Sequence, residues 1–131
     1  MSEAAVTLLP VSIPPRHLEI GRIGEAAALA QYRRAGFRVV ARNWRCPLGE
    51  IDLVVRKDSL LVFCEVKSRR GSGLGGPYEA VHWKKQRKLR MLAEAFLAAK
   101  GDASSDVRFD VASVIVDGRG ESSVFVFESA F

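Results

Sequence analysis

The sequence predicts an α/β domain, a mixed β-sheet flanked by helices, in the element order α-β-β-β-α-β-β. Two long segments carry apolar residues at helical spacing, and five shorter apolar runs rich in β-branched residues are separated by turn residues. Neither a repeat nor a shift in composition marks a second domain. A sheet covered by two helices is the simplest way for these elements to bury their apolar faces.

The composition is that of a globular protein. The chain has 131 residues, of which 48% are hydrophobic, and no apolar run approaches the length of a membrane span. Its first residues lack the basic and apolar regions of a secretory signal. The two cysteines, Cys46 and Cys64, have neither a disulfide pattern nor a zinc spacing. We therefore expect a reduced, cytoplasmic protein that does not contact a membrane.

The first elements follow from local signals. Residues 1–16 contain three of the five prolines and predict an irregular arm, so the single domain is expected to span residues 17–131. An apolar stripe followed by Gly36 predicts a helix over His17–Ala35. A strand is predicted over Phe37–Arg42.

Three elements are predicted in the second half of the chain. Apolar residues at helical spacing predict a helix over Tyr78–Lys100, which ends at Gly101. Apolar runs predict strands over Val107–Val116 and Ser122–Phe127 around a glycine-containing turn.

A turn is predicted at Cys46–Gly49, and the segment Leu48–Arg70, which begins within it, predicts a β-hairpin. Two apolar runs are separated by a polar break at Arg56–Ser59, and this pattern favours antiparallel strands joined by a turn. Both runs are interrupted by charged residues, which is unusual for strands that are otherwise apolar. These residues are Glu50 and Asp52 in the first run and Glu65 and Lys67 in the second.

The predicted register brings Asp52 and Glu65 together. Side chains alternate between the faces of a strand, so a two-residue turn at Asp58–Ser59 places Asp52 opposite Glu65 and Glu50 opposite Lys67. Opposed Cβ atoms in such a pair are about 4.5–5.5 Å apart. A slip of one residue would move Asp52 and Glu65 to opposite faces, so the site depends on this register.

The second face of the hairpin is predicted to belong to the core, because its residues are all apolar. They are Ile51, Leu53, Val55, Leu60, Val62, Cys64 and Val66. Val54 and Phe63 share the charged face, so we expect that face to be partly covered as well.

Two carboxylates that face each other across strands repel unless a positive charge lies between them. A hard divalent cation such as Mg²⁺ takes one or two carboxylates together with waters and substrate phosphate. Lys67 is predicted to point at the same place, where it could orient a water or stabilise a negatively charged transition state. The alternative is a set of solvated charges on the open face of an antiparallel sheet.

Positive charge is concentrated in one segment. The chain carries a net charge of +5. The segment Lys67–Arg90 contains eight basic residues and one acidic residue, so it carries +7 and the rest of the chain carries −2. Such a segment favours a polyanionic partner. Five basic residues lie within seven positions of the predicted second helix, and phosphate contacts would relieve their repulsion. A solvated cationic helix face is the alternative. These residues are Lys84, Lys85, Arg87, Lys88 and Arg90.

Three further residues have predicted roles that depend on their neighbours. Glu25 has small neighbours one turn away, including Gly21 and Gly24, so it either points inward to the site or is an ordinary exposed helix glutamate. Trp44 is predicted to be a core or sheet-edge aromatic, with base stacking as the less favoured alternative. Asp110 is predicted to pair with a basic residue.

The acidic residues lie in segments that resemble a nuclease core. Gly49–Asp52 followed by Phe63–Lys67 is similar to the acidic core of the PD-(D/E)XK nuclease superfamily, although Ile51 stands where the superfamily name has proline. The chain from Ile20 to Val116 resembles more closely the YraN-like family, predicted endonucleases related in fold to archaeal Holliday junction resolvases. The other matching segments are Gly21–Glu25, Gly36–Phe37, Arg42–Arg45, Glu79–Val81 with Lys85 and Arg87, and Arg108–Val111.

The resemblance implies a restriction-endonuclease-like fold and roles for individual residues. Asp52, Glu65 and the backbone carbonyl of Val66 would bind Mg²⁺ or Mn²⁺. Lys67 would be the catalytic lysine. Glu25 would match the first-helix glutamate of the resolvase-like branch and join the catalytic set.

The resemblance also implies a metal-dependent endonuclease that hydrolyses phosphodiester bonds in DNA, with branched or junction DNA as a candidate substrate. DNA is favoured over RNA as the partner, and a homodimer would match the two-fold symmetry of a junction. The alternative is a non-catalytic nucleic-acid-binding module with a nuclease-like fold, although such a module has no reason to keep Asp52, Glu65 and Lys67. The residues expected to contact nucleic acid are Arg69, Arg70, Lys84, Lys85, Arg87 and Lys88.

Overall fold

The computed structural model describes residues 17–71, 82–102 and 106–131. These residues form two helices and five strands in the predicted order. The predicted arm over residues 1–16 and the start of the predicted second helix, residues 78–81, lie outside the described residues. The elements are α1 (His17–Arg34), β1 (Arg38–Cys46), β2 (Gly49–Lys57), β3 (Leu60–Arg70), α2 (Trp83–Lys100), β4 (Asp106–Val116) and β5 (Ser122–Phe127).

The strands form a mixed sheet in the order β1-β2-β3-β4-β5. Neighbouring strands are antiparallel except β3 and β4, which are parallel. A parallel pair requires a crossover connection, and α2 lies in the connection between these two strands. The predicted α/β class, with a mixed sheet flanked by helices, is therefore confirmed.

Each face of the sheet packs against one helix. Val54 and Phe63 are buried at 0% and 3% exposure in the cluster beneath α2, which confirms that the charged face of the hairpin is covered. The cluster on the α1 side includes Ala28, Leu29, Tyr32, Leu53, Val55, Val62, Cys64 and Val114. The cluster on the α2 side includes Ile51, Leu61, Leu89, Leu92, Ala93, Phe96 and Phe109. No helix in the described ranges is long and apolar enough to cross a membrane.

The hairpin has the predicted two-residue turn. Asp58 takes φ 53° and Ser59 follows it, so β2 and β3 pair in the predicted register from Lys57–Leu60 to Leu53–Cys64. The strands extend closer to the turn than predicted, because Arg56 and Lys57 still pair with β3. The pairing ends at Leu53, so the predicted direct opposition of residues beyond it, including Glu50 and Lys67, is wrong.

Ile51 was predicted on the same face as Leu53, and this is wrong. Ile51 packs with Val54 in the cluster beneath α2, whereas Leu53 belongs to the cluster beneath α1. The alternation fails here because β2 has left the β3 ladder and the neighbouring β1 backbone is irregular, with Asn43 at φ 49°. The side chains of Asp52 and Ile51 can therefore both contact the α2 side of the sheet.

β1 is longer than predicted. It continues past Arg42 to Cys46 and pairs with β2 along that stretch, so the predicted turn shrinks to Pro47 and Leu48. Trp44 packs its ring edge-on against Phe96 at a centroid distance of 5.2 Å. The prediction of a core or sheet-edge aromatic is confirmed.

Candidate functional site

The candidate site begins where β2 and β3 separate. Beyond the last paired residues, Leu53 and Cys64, the Val66 N–H donates a hydrogen bond of 2.8 Å to Asp52 Oδ2 instead of to a strand backbone. The N–H and C=O groups of one residue in an extended strand point to the same side. The Val66 carbonyl therefore also faces this gap, next to the Asp52 carboxylate.

Asp52 and Glu65 form a close carboxylate pair. Burial raises the pKa of Asp52 to about 8, and a hydrogen bond with Glu65 and the charge of Glu65 act in the same direction. The Val66 N–H opposes this rise, and the charge of Glu25 adds to it. Glu65 is itself buried, at 8% exposure. The predicted meeting of these two carboxylates is thus found in the structure, although side-chain contacts rather than strand pairing bring them together.

Lys85 completes this pair from α2. Its Nζ lies 2.5 Å from Glu65 Oε2, and the hydrogen bond to Glu65 raises the pKa of Lys85. Sequence reasoning placed Lys85 among the residues that contact nucleic acid, whereas the structure places its ammonium at the carboxylates. The arrangement therefore contains its own positive charge.

Glu25 reaches the site from α1. Its Oε1 accepts a hydrogen bond of 3.1 Å from Asn43 Nδ2, and its charge contributes to the raised pKa of Asp52. The approach is close because Gly24 is buried against β3, where an added Cβ would lie 1.7 Å from Ser68 Oγ. Glu25 is thus half-buried and bonded to β1, and its role in the site stays a prediction.

Lys67 lies two residues after Glu65 on β3. The β3–β4 ladder is regular from Leu60 to Arg70, so alternation places Lys67 and Arg69 on the same face as Glu65. Lys67 is half-buried, and Arg69 and Arg70 are exposed at the end of the strand. The structure thus brings Lys67 to the site face and places the two arginines at its margin.

A cavity of about 200 Å³ connects the carboxylates with α2. Lys88 lines this cavity and also an adjoining open groove along the β1–β2 turn, where Arg45 and Glu50 form an ion pair of 3.1 Å. Gly49 makes room for Lys88, because an added Cβ would lie 3.1 Å from Lys88 Cε. The cavity is lined by Glu50, Asp52, Glu65, Lys85, Lys88, Leu89 and Leu92.

The four α2 residues predicted to contact nucleic acid divide between two faces. Lys85 and Lys88 are one turn apart and line the cavity. Lys84 and Arg87 are exposed, and the Lys84 ammonium lies over the exposed Trp83 ring at 5.7 Å from its centroid. Only part of the predicted basic surface therefore faces the carboxylates.

Asp52, Glu65 and the Val66 carbonyl make a donor set of two carboxylates and one main-chain oxygen. Within the described ranges, no group of three or more His, Cys, Asp or Glu side chains is arranged to hold a metal ion. Mg²⁺, however, is usually held by one or two carboxylates with waters and substrate phosphate. The close approach of two carboxylates with a cation already on one of them shows that this place favours positive charge. The donor set fits a hard divalent cation.

Sequence reasoning missed two contacts in this site. Asn43 takes φ 49° and holds Glu25, and nothing in the local sequence distinguishes it from a loop asparagine. The role of Lys85 had a signal, since it has no acidic partner on its own helix. Its partner is Glu65 on β3, which only the tertiary packing reveals.

The chain matches one protein family along most of its length. The family model described as "Uncharacterised protein family UPF0102" matches residues 24–114. A UPF0102 protein of Moorella thermoacetica is 43% identical over 112 residues, which cover 85% of this chain and 93% of that protein. A UPF0102 protein of Rhodococcus jostii is 45% identical over 100 residues, covering 76% and 85% of the two chains. One of Alkaliphilus metalliredigens is 39% identical over 112 residues, covering 86% and 96%.

The matched region contains the whole candidate site. It starts at Gly24, directly before Glu25, includes the carboxylate pair and Lys85, and ends within β4 at Val114. The resemblance to the YraN-like family is confirmed at the level of this family. With a match over residues 24–114 and relatives covered almost from end to end, the chain belongs to the uncharacterised protein family UPF0102.

Proposed function

We propose that this protein is a metal-dependent endonuclease of the PD-(D/E)XK type, with a restriction-endonuclease-like fold, that hydrolyses phosphodiester bonds in DNA. The observation that carries the proposal is the Asp52–Glu65 pair at the end of the β2–β3 ladder, in which Glu65 is buried and Asp52 is half-buried, with Lys67 on the same face as Glu65. Carboxylates that are this close and poorly solvated are costly for stability alone. A functional requirement for a cation and a phosphate at this place accounts for that cost.

The residues of the site can be given separate tasks in phosphodiester hydrolysis. A bound Mg²⁺ or Mn²⁺ would polarise a phosphate oxygen and lower the pKa of an attacking water. Asp52, Glu65 and the Val66 carbonyl would hold it. Lys67 would place positive charge next to the reacting phosphate, where it would orient the water or stabilise the developing negative charge.

Glu25 would act through position rather than through a bond to the cation. Asn43 holds one of its oxygens, and its charge acts on Asp52. A carboxylate held in this way would accept a hydrogen bond from the attacking water. The contact of Gly24 with β3 allows α1 to approach this part of the sheet closely.

The basic groove next to the site supplies a path for the substrate backbone. Lys88 lies where the carboxylate cavity meets the groove along the β1–β2 turn, and Arg45 lies further along with a side chain that is 79% exposed. Cations at these two places would contact phosphates flanking the scissile one. Such contacts position a strand without reading its bases, which suits a branched or junction substrate better than a sequence-specific one.

DNA is preferred over RNA within this proposal, and a homodimer is the assembly that a two-fold junction would require. The second candidate function is a nucleic-acid-binding module that does not cut. The observation that favours it is the Lys85–Glu65 ion pair, because Lys85 already supplies positive charge to the cluster without a metal.

The first test is cleavage of labelled single-stranded DNA, duplex, flap and four-way junction in the presence of Mn²⁺. We expect one of these substrates to be cut by the wild-type protein and not by Asp52→Asn, which preserves side-chain size and the acceptor for the Val66 N–H. A residue that helps to bind the metal typically contributes several orders of magnitude to the rate. Glu94→Gln, at an exposed carboxylate of α2, is the matched control and should cut normally.

Three results would contradict the proposal in different ways. Cleavage that survives in Asp52→Asn would come from a contaminant. Binding to the junction without cleavage would favour the binding module. A matched RNA panel cut faster than the DNA panel would move the substrate class to RNA.

A further inference from the structure

Lys85 occupies a place that the proposed metal would need. Its ammonium lies 2.5 Å from Glu65 Oε2, which is a candidate metal ligand, and it also acts electrostatically on Asp52. A divalent cation bound to the same carboxylate would lie a few ångströms from this ammonium. The divalent charge and the ammonium repel each other at such a separation.

We propose that Lys85 is an exchangeable internal cation: it neutralises Glu65 in the metal-free protein and is released towards the substrate phosphate when a divalent metal binds. This inference rests on the metal site of the proposed function. Metal binding would then create a phosphate-binding ammonium beside the site. Lys85 thus couples the metal to the nucleic acid.

The surroundings of Lys85 allow such an exchange. Its side chain is 54% exposed, so the ammonium can leave Glu65 without crossing the core. It lies one turn before Lys88, which already faces the groove proposed for the substrate backbone. The flexible four-carbon stem of a lysine allows its ammonium to move between two partners on one rim.

Lys84 provides a matched comparison on the same helix. It carries the same charge, yet its ammonium lies over the Trp83 ring rather than at a carboxylate. Removing Lys84 therefore changes the net charge of α2 equally without emptying the position on Glu65. The difference between the two variants isolates the local effect.

The test is the affinity of the protein for Mn²⁺ without nucleic acid, measured by isothermal titration calorimetry. Lys85→Met should bind Mn²⁺ about five-fold more tightly than the wild-type protein, because the metal no longer has to displace an ion pair. Lys84→Met should stay within about two-fold of the wild type. Lys85→Gln is the second variant and should follow Lys85→Met if either side chain perturbs folding.

The second readout is binding of a labelled four-way junction with and without Ca²⁺, which takes oxygen ligands as Mg²⁺ does. Calcium should tighten binding by the wild-type protein, and this gain should shrink in Lys85→Met but persist in Lys84→Met. An unchanged or weaker Mn²⁺ affinity in both Lys85 variants would overturn the exchange. Tighter Mn²⁺ binding by these variants without cleavage by any protein would support the exchange and reject the endonuclease.

Discussion

Asp52 lies in an environment unlike that of an ordinary exposed carboxylate. It is half-buried beside Glu65, and the Val66 N–H donates a hydrogen bond that stabilises its charged form. The pair is tolerated because Asp52 binds a proton and Lys85 pairs with Glu65. This residue therefore links the pH to the stability of the fold.

The first prediction at the residue scale concerns the pH dependence of stability. The pKa of Asp52 rises from 3.8 to about 8 on folding, so the folded protein keeps a proton that the unfolded chain has lost. The contribution of Asp52 to the free energy of unfolding is fully present below pH 3.8 and is lost progressively as the pH rises to about 8. In the presence of a chelator, Asp52→Asn should therefore be stabilising, and more so at about pH 8.5 than at about pH 5, by at least about 1 kcal/mol. Urea unfolding at the two pH values measures this difference.

The control for this prediction is Glu94→Gln, which removes one negative charge from the exposed side of α2. Its effect on the free energy of unfolding should change little between the two pH values, as expected for an exposed surface group. If the effect of Asp52→Asn does not depend on pH, the Asp52 carboxylate is not held protonated by its surroundings.

At the scale of elements, α1 lies closest to Ser68 of β3 at Gly24. An added Cβ on Gly24 would lie 1.7 Å from Ser68 Oγ and 2.8 Å from Ser68 Cβ, whereas one on Gly21 would meet no atom within 4 Å. The two glycines lie one turn apart on the same helix but differ in what they contact. The close packing of α1 on β3 requires a glycine at Gly24 but not at Gly21.

The prediction at this scale compares the two glycines. Gly24→Ala should lower the free energy of unfolding by about 1–3 kcal/mol, the usual cost of overpacking. Gly21→Ala should raise it by up to about 1 kcal/mol, because alanine favours the helix and nothing is displaced. Adding Ser68→Ala to Gly24→Ala removes the closest atom and should recover part of the loss. Equal effects of the two single substitutions, measured by urea unfolding, would contradict this account of the α1–β3 contact.

The elements also show why the sequence predicted some features and not others. The register of the hairpin was predictable because alternation of charged and apolar residues and a two-residue turn point to the same pairing. The separation of β2 from β3 after Leu53 was not, because it depends on the Asp52 side chain replacing a backbone partner on β3. The displacement of Ile51 to the α2 side follows from the same local break in alternation.

At the scale of the whole molecule, the central position of β3 assembles the site. It pairs with β2 on one side and β4 on the other, and α1 and α2 cover its two faces. Asp52 and Lys85 come from two different elements and meet at this one strand, and the charge of Glu25 on α1 acts on Asp52. Local sequence could identify the acidic residues of the hairpin, but it could not place a helix lysine among them.

A second buried acid, Asp110, joins distant parts of the chain and confirms the predicted pairing with a basic residue. It is fully buried and accepts two hydrogen bonds of 2.9 Å from Arg108, one of 2.7 Å from the Tyr32 hydroxyl and one of 3.0 Å from the Ser129 N–H. These contacts connect β4 with α1 and with the C-terminal residues. Next to this network, the Ala130 N–H bonds to the Phe109 carbonyl. Asp110 thus differs from the carboxylates of the candidate site, because protein groups compensate its charge.

The prediction at this scale is that Asp110 supports the fold and takes no part in the proposed chemistry. Asp110→Ala should cost about 3–5 kcal/mol, because it removes the buried carboxylate that Arg108 and the Tyr32 hydroxyl bind and leaves Arg108 only its ion pair with the exposed Glu128. Tyr32→Phe removes one hydrogen bond and should cost about 1 kcal/mol, which keeps the prediction testable if Asp110→Ala does not fold. Urea unfolding gives both values, and amide exchange at Ser129 should accelerate in Asp110→Ala because its acceptor is gone. Asp52 and Asp110 differ because the proposed site needs an external cation and Asp110 does not. A Tyr32→Phe protein that keeps its stability but loses Mn²⁺ binding would contradict this difference and connect the Asp110 network to the metal site.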